Sequence, residues 1–353
     1  MKESTIGWDY GTAYELFVSL MVLHKAEDYG IRAGWAAGVR SRIPIAERRM
    51  LEETLPFLEL PIAWIHNTLP DPKDSIAVQW AMRQIPAEKR MLSILGFETC
   101  DNEWCQIIRK VAERRAWDNK DLNFFVDKFK EHRKEGPAYT REGITKFLDW
   151  WSRPDEFGDM FLSALQAYHQ AFFEEEEKRI GPILKEQLEQ AKKLSKTRNA
   201  KELLVELSKG VSYDEMFDSK EVVFIPAYWI TPMIILQEAP ESKNLVLFGA
   251  RPSNMAVIPG EVIPDGLVRT LKALADPTRL KILHDLSHEE LTPSEIARRL
   301  HLRAPTVTHH MNELRMAGLV HKIIKGQETR YSTRRESLEA MCNEMNEFLD
   351  KNN

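Results

Sequence analysis

Cysteine is scarce in this chain of 353 residues, with only Cys100, Cys105 and Cys342. So sparse and odd a set argues against a disulfide framework and for a reducing, cytoplasmic setting. Long apolar runs are missing too. The longest mainly apolar stretch, Phe224 to Leu236, carries Pro226 and Pro232 and falls short of the roughly 18 residues a membrane span needs. No membrane partner is therefore expected, and no secretory signal follows Met1. The patterns Gly-x-x-x-x-Gly-Lys, Gly-x-Ser-x-Gly and His-Glu-x-x-His do not occur, so phosphate loops, nucleophile elbows and zincin sites have no support. His24, His66, His132 and His169 are scattered, and no enzymatic activity is expected. An excess of positive charge is also lacking. Lys and Arg number 49 against 54 Asp and Glu, a net charge of -5, which taken whole argues against a nucleic-acid partner.

What is present is unevenly spread. All nine tryptophans lie at or before Trp229, whereas the last 90 residues hold six of the ten histidines. Pro252, Pro259, Gly260, Pro264 and Gly266 crowd the passage between these regions. That density breaks helix and strand alike, placing a boundary near residue 263 and domains at 1–263 and 264–353. The first reads as mainly helical: Tyr10 to Asp28, Ser75 to Gln84, Asn102 to Arg115 and Asp121 to His132 repeat apolar residues at helical spacing. Asp155 to Leu194 is a long helical stretch that Gly181-Pro182 should kink or split. Within it Glu174 to Glu177 reads as a solvated face. Val222 to Ile225, Trp229 to Leu236 and Leu245 to Phe248 read as strands of a small sheet closing this domain.

The last 90 residues carry sharper signals. Pro264 to Leu274 is a short amphipathic helix. Asp276-Pro-Thr-Arg279 and Thr292-Pro-Ser-Glu295 are helix starts, with Asp276 and Thr292 as caps and Glu295 completing a capping box. A third helix from about Pro305 to Met316 buries Val307, Met311 and Leu314, and Gly318 ends it in the left-handed region. Leu319 to Ile324 and Thr329 to Thr333 read as a hairpin around Lys325-Gly-Gln-Glu328. Together these make an α+β winged helix–turn–helix at the end of a mainly α chain.

Four motifs, in order and at matching spacing, resemble the ArsR-type regulators: Leu274-Ala-Asp-Pro-Thr-Arg-Leu-Lys-Ile-Leu283, Ser294-Glu-Ile-Ala297, Thr306-Val-Thr-His-His-Met311 and Ala317-Gly-Leu-Val320. They cover about a quarter of the chain. The resemblance implies a homodimeric binder of double-stranded DNA, a repressor released by an inducer. Arg303 departs from it, standing where a small polar cap is usual. Phe157 to Pro182 and Val222 to Pro252 resemble, more loosely, uncharacterised extensions on similar regulators.

Charge supports the DNA reading independently. From Arg298 to Arg335 nine basic residues face only Glu313 and Glu328, a local +7, and phosphates respond to local charge. Pro305, Thr306, Thr308, His309 and Asn312 are assigned to the base or backbone interface. Arg303, Arg315, Lys322, Lys325 and Arg330 are assigned to phosphates, and His310 to packing. The C-terminal helix, about Arg335 to Leu349, carries a stripe of Leu338, Met341, Cys342, Met345 and Phe348 suited to dimer pairing on an inverted-repeat operator.

The metal sites of ArsR-type sensors do not transfer. Ser294 to Leu300 holds no cysteine and Ser337 to Asn353 no histidine, while the pairs His284/His288 and Cys100/Cys105 are each too few for a site. No metal or cofactor is expected. The N-terminal domain then reads as a sensor for an unknown small-molecule or protein effector, with an aromatic-lined cavity suggested by its tryptophans. A ligand-independent oligomerisation scaffold and, less favoured, a fused enzyme domain are the alternatives.

Overall fold

Apolar residues at helical spacing and short β-branched runs produce the expected mainly helical chain with small sheets. The computed structural model describes residues 4–132, 136–213, 221–326 and 328–350. It divides into two compact units, Gly11–Gly181 and Met1–Tyr10 with Pro182–Asn353. By its contacts the stretch 182–263 groups with the winged helix.

Gly11–Gly181 is helical. Thr12–His24 buries nearly its whole surface, including Leu16, Leu20 and Leu23. Asn102 caps Glu103–Arg114 by accepting the Cys105 N–H at 2.8 Å, and Asp118 with Asp121 forms a capping box on Asn119–Glu131. Aromatic side chains fill the core edge to face: Trp104 lies 4.5 Å from Phe125 and Trp151 5.2 Å from Phe157, centroid to centroid. A single local disulfide joins Cys100 to Cys105 at the entry to the Glu103–Arg114 helix, Cα atoms 5.9 Å apart.

The acidic run corrects its simple reading. Glu174 and Glu175 are exposed, but Glu176 is buried against Arg179 at 2.5 Å. Glu177 accepts the Thr12 hydroxyl at 2.5 Å and the Ser75 N–H and hydroxyl at 2.9 and 2.5 Å. Thr12 and Ser75 each begin a helix, so one carboxylate satisfies groups at two helix N-termini, where the dipole favours negative charge. The long helical stretch contains a π turn at His169–Phe173 and continues as Glu174–Leu194 with Pro182 inside. Proline costs one intrahelical hydrogen bond there without ending the helix.

Among the described residues the other unit holds the strands β1 (Thr5–Trp8), β2 (Val211–Tyr213), β3 (Glu221–Ala227), β4 (Ile234–Ala239), β5 (Lys243–Gly249), β6 (Val320–Lys325) and β7 (Glu328–Thr333). One sheet has the order β1-β3-β5-β4, with β1, β3 and β5 parallel and β4 antiparallel. Val222 to Ile225 and Leu245 to Phe248 are buried without alternation, as expected of strands covered on both faces. Trp229 to Met233 is a turn, closed by Met233 N–H on the Ile230 carbonyl at 2.7 Å. Pro232, with no N–H to give a ladder, sets the strand start at Ile234. The second sheet, β2-β6-β7, belongs to the winged helix.

Candidate nucleic-acid interface

The helices of the winged helix are Asp265–Leu274, Pro277–Leu286, Pro293–Leu300, Ala304–Met316 and Glu336–Asp350. The segment Asp276-Pro-Thr-Arg279 joins the first two by serving both. Asp276 accepts the Arg279 N–H at 2.9 Å and so starts the second helix; this bond holds its carboxyl below the usual range. The Arg279 side chain turns back, donating to the Ala273 and Lys272 carbonyls at 2.8 Å and closing the first. The third start is the expected reciprocal box, with Thr292 N–H donating to Glu295 at 2.7 Å and Glu295 N–H to Thr292 at 3.3 Å.

Ile282, Leu286, Ile296, Val307, Met311, Leu314, Val320 and Tyr331 form one buried cluster. It fixes the helix Ala304–Met316 by one face, leaving Pro305, Thr306, Thr308, His309 and Asn312 exposed on the others. Arg303 sits at the N-cap, exposed, and makes no side-chain cap bond. His310 is buried, with Nδ1 lacking a hydrogen-bond partner, and burial pushes its imidazole pKa down. It is a core side chain, in keeping with its assignment to packing.

A helix–turn–helix domain model matches residues 274–323. The transcriptional repressor SdpR of Bacillus subtilis (strain 168) is 36% identical over 80 residues, which are 23% of this chain and 89% of that protein. The chain belongs to the ArsR family. The HTH-type transcriptional regulator CmtR of Mycobacterium tuberculosis is 38% identical over 72 residues, 20% of this chain and 61% of that one. A solved ArsR-like transcriptional regulator from Rhodococcus sp. RHA1 aligns at 28% identity over 24% of this chain and 79% of its own, with a TM-score of 0.23. This ArsR-family protein is a DNA-binding transcriptional regulator with a large N-terminal extension.

The extension reaches the wing. β2 pairs with β6 in parallel, Val211 opposite Lys322 and Tyr213 opposite Ile324, and the Lys322 N–H donates to the Gly210 carbonyl at 2.8 Å. Gly210 has φ 109°, and a Cβ there would lie 2.9 Å from His321 Nδ1 and 3.2 Å from the Val320 carbonyl. Only glycine permits that approach. The ArsR-family wing is thus three-stranded here, and nothing as short as Val-Ser-Tyr announces it in the sequence.

The five assigned phosphate contacts therefore separate. Arg303 and Lys325 are exposed, the latter beside Gly326 in the wing turn; Gln327 of that turn lies outside the described residues. Arg330 pairs with Glu328 at 2.9 Å on the surface, a pair weak enough to yield to a phosphate. Lys322 is half-buried, in register with Val211 and Tyr331, and burial lowers its ammonium pKa. Arg315 is half-buried, with Nη2 3.4 Å from the Met233 sulfur. Both lie against other parts of the fold, so they are weaker phosphate candidates than their charge suggests. In the C-terminal helix no described residue is buried: Leu338, Met341, Met345 and Phe348 are half-exposed and Cys342 is exposed.

In Gly11–Gly181 some of the tryptophans counted toward a cavity lie in the core instead. Trp64, Trp150 and Trp151 are core. The cleft among Phe17, Leu20, Met21, Leu58 and Phe161 has a free volume of about 20 Å³ and no tryptophan in its lining, room for about one water. Among the described residues no helix is long and apolar enough to cross a membrane.

Proposed function

We propose that the chain is a cytoplasmic, homodimeric repressor that binds an inverted-repeat operator and is released by an effector acting through the N-terminal extension. It is neither a metal sensor nor an enzyme in this reading. The observation that carries it is the exposed set Pro305, Thr306, Thr308, His309 and Asn312 on the helix Ala304–Met316, whose other face is locked into the core. A major groove admits such a helix, where Asn312 can pair with adenine and the threonines with thymine methyls or phosphates. The uncovered stripe of the C-terminal helix supports the dimer, and the β2–β6 ladder supports a route from the extension to the wing.

Asn312→Ala should cost roughly 1–3 kcal/mol on the operator and relax preference at one base pair, whereas Lys325→Ala should weaken all DNA alike and lower the salt slope by about 1. Fluorescence anisotropy on operator and random duplexes across a salt series separates the two. Equal losses on both duplexes for both variants would refute the assignments. A second reading, a ligand-independent scaffold, draws on the exposed Ile45, Ile76 and Trp80 of Gly11–Gly181, apolar surface suited to a partner.

A further inference from the structure

The junction of the extension with the wing is hollow. A groove of about 480 Å³ lies on the open face of the β2-β6-β7 sheet, within the range of small-molecule sites. Side chains at alternate positions of a strand share a face, so His321, Ile323 and Lys325 of β6 line it together. Ser212, opposite Ile323, and Ser332, opposite His321, join them from β2 and β7. Val205, from the helix Ala200–Leu207, completes the wall on the extension side.

The lining has one chemistry. It offers an ammonium, two hydroxyls and an imidazole whose Nε2 lies 3.5 Å from the Glu336 carboxylate. Among the described residues, no aspartate or glutamate lines it. Val205 and Ile323 add apolar surface at the same place. An anionic head with a short apolar tail satisfies all of these at once.

We infer that this groove is the effector site, and that its ligand is a small organic anion, a carboxylate or phosphate ester with a short apolar chain. Lys325 supplies the coupling. Lys325 both lines the groove and ends β6 beside the wing turn, where it is assigned to a phosphate, so ligand and DNA compete for it. Binding at one is then weakened by the other to the same factor. The inference rests on the reading of the chain as an effector-released repressor, but ligand binding is measurable without DNA.

The test uses the full-length chain and butyl phosphate, with inorganic phosphate and butanol as head-only and tail-only controls. Calorimetry should show saturable binding of butyl phosphate tighter than about 10 mM, with each control weaker. Saturation should lower operator affinity severalfold. Ser212→Asp and Ser332→Asp, which place a carboxylate in the groove, should each weaken the ligand at least about tenfold through like-charge repulsion. Without ligand, both should hold operator affinity within about twofold, since one added charge is partly screened by salt. Absence of saturable binding, or binding that both variants retain, overturns the site. Loss of operator affinity in either variant without ligand also overturns it, because the groove would then be taking DNA backbone. Failure of the wild type to bind any operator would sink the repressor reading instead, and the calorimetry would still judge the groove.

Discussion

Replacing Met345 and Phe348 together with aspartate should turn the regulator into a monomer and weaken operator binding by about 10² to 10⁴, the advantage that two linked half-site contacts hold over one. Both side chains are half-exposed on the helix Glu336–Asp350, which buries no described residue within one chain. Leu349 of the same helix stands 64% exposed. A dimer removes this stripe from water, and two carboxylates per chain placed there would be desolvated without partners. Leu338, which packs against the winged-helix core, is left intact, so the fold should survive. Light scattering reads the mass and anisotropy the affinity. A variant that stays dimeric, or a monomer that binds the operator as tightly as wild type, contradicts the assignment of this stripe.

Acid should destabilise the protein through His24 more than through an ordinary surface histidine. Burial pushes its pKa from 6.5 down to about 4, opposed by the bond of Nδ1 to the Leu20 carbonyl at 2.8 Å and aided by Arg40. Nε2 is buried with no hydrogen-bond partner. The unfolded chain takes up the proton near pH 6.5, and the folded chain resists it until about pH 4. Stability is therefore unaffected above pH 6.5 and is lost as pH falls through that window, by about 3 kcal/mol in all. Urea unfolding of wild type and His24→Leu at steps from about pH 7 to pH 4.5 isolates the effect, since other groups titrate in both. The variant should lose less stability by about 2–3 kcal/mol. Parallel losses would show that His24 is not the group responsible.

The legible parts of this fold are those whose signals are local. Asp276, Pro277 and Arg279, and Thr292 with Glu295, decide helix ends within four residues, and each bond forms where the spacing puts it. The exposed face of Ala304–Met316 follows from the helical period around Val307, Met311 and Leu314. What escaped is long-range. β1 is four residues that pair with a strand more than 200 positions later, and β2 is three that pair with the wing. Neither is long enough to carry a period. The same long-range contacts moved Lys322 and Arg315 away from the solvent that their charges suggest, and drew Glu177 from a nominally solvated run into two helix starts. Apolar density misled in the opposite sense at Trp229 to Met233, where Pro232 outweighs the β-branched and aromatic neighbours. The N-terminal tryptophans divide, Trp64, Trp150 and Trp151 lying in the core and Trp80 at the surface.

In the proposed dimer, the helix Ala304–Met316 reads base sequence as one half of a symmetric pair. The most direct test of this reading is to let the full-length chain select duplexes from a random library at physiological salt and to sequence what it retains. The expected result is an inverted repeat with half-site centres about 10–10.5 base pairs apart, or a multiple of that spacing, and loss of one enriched position with Asn312→Ala. Enrichment of a lone half-site, or of no sequence at all, would contradict it.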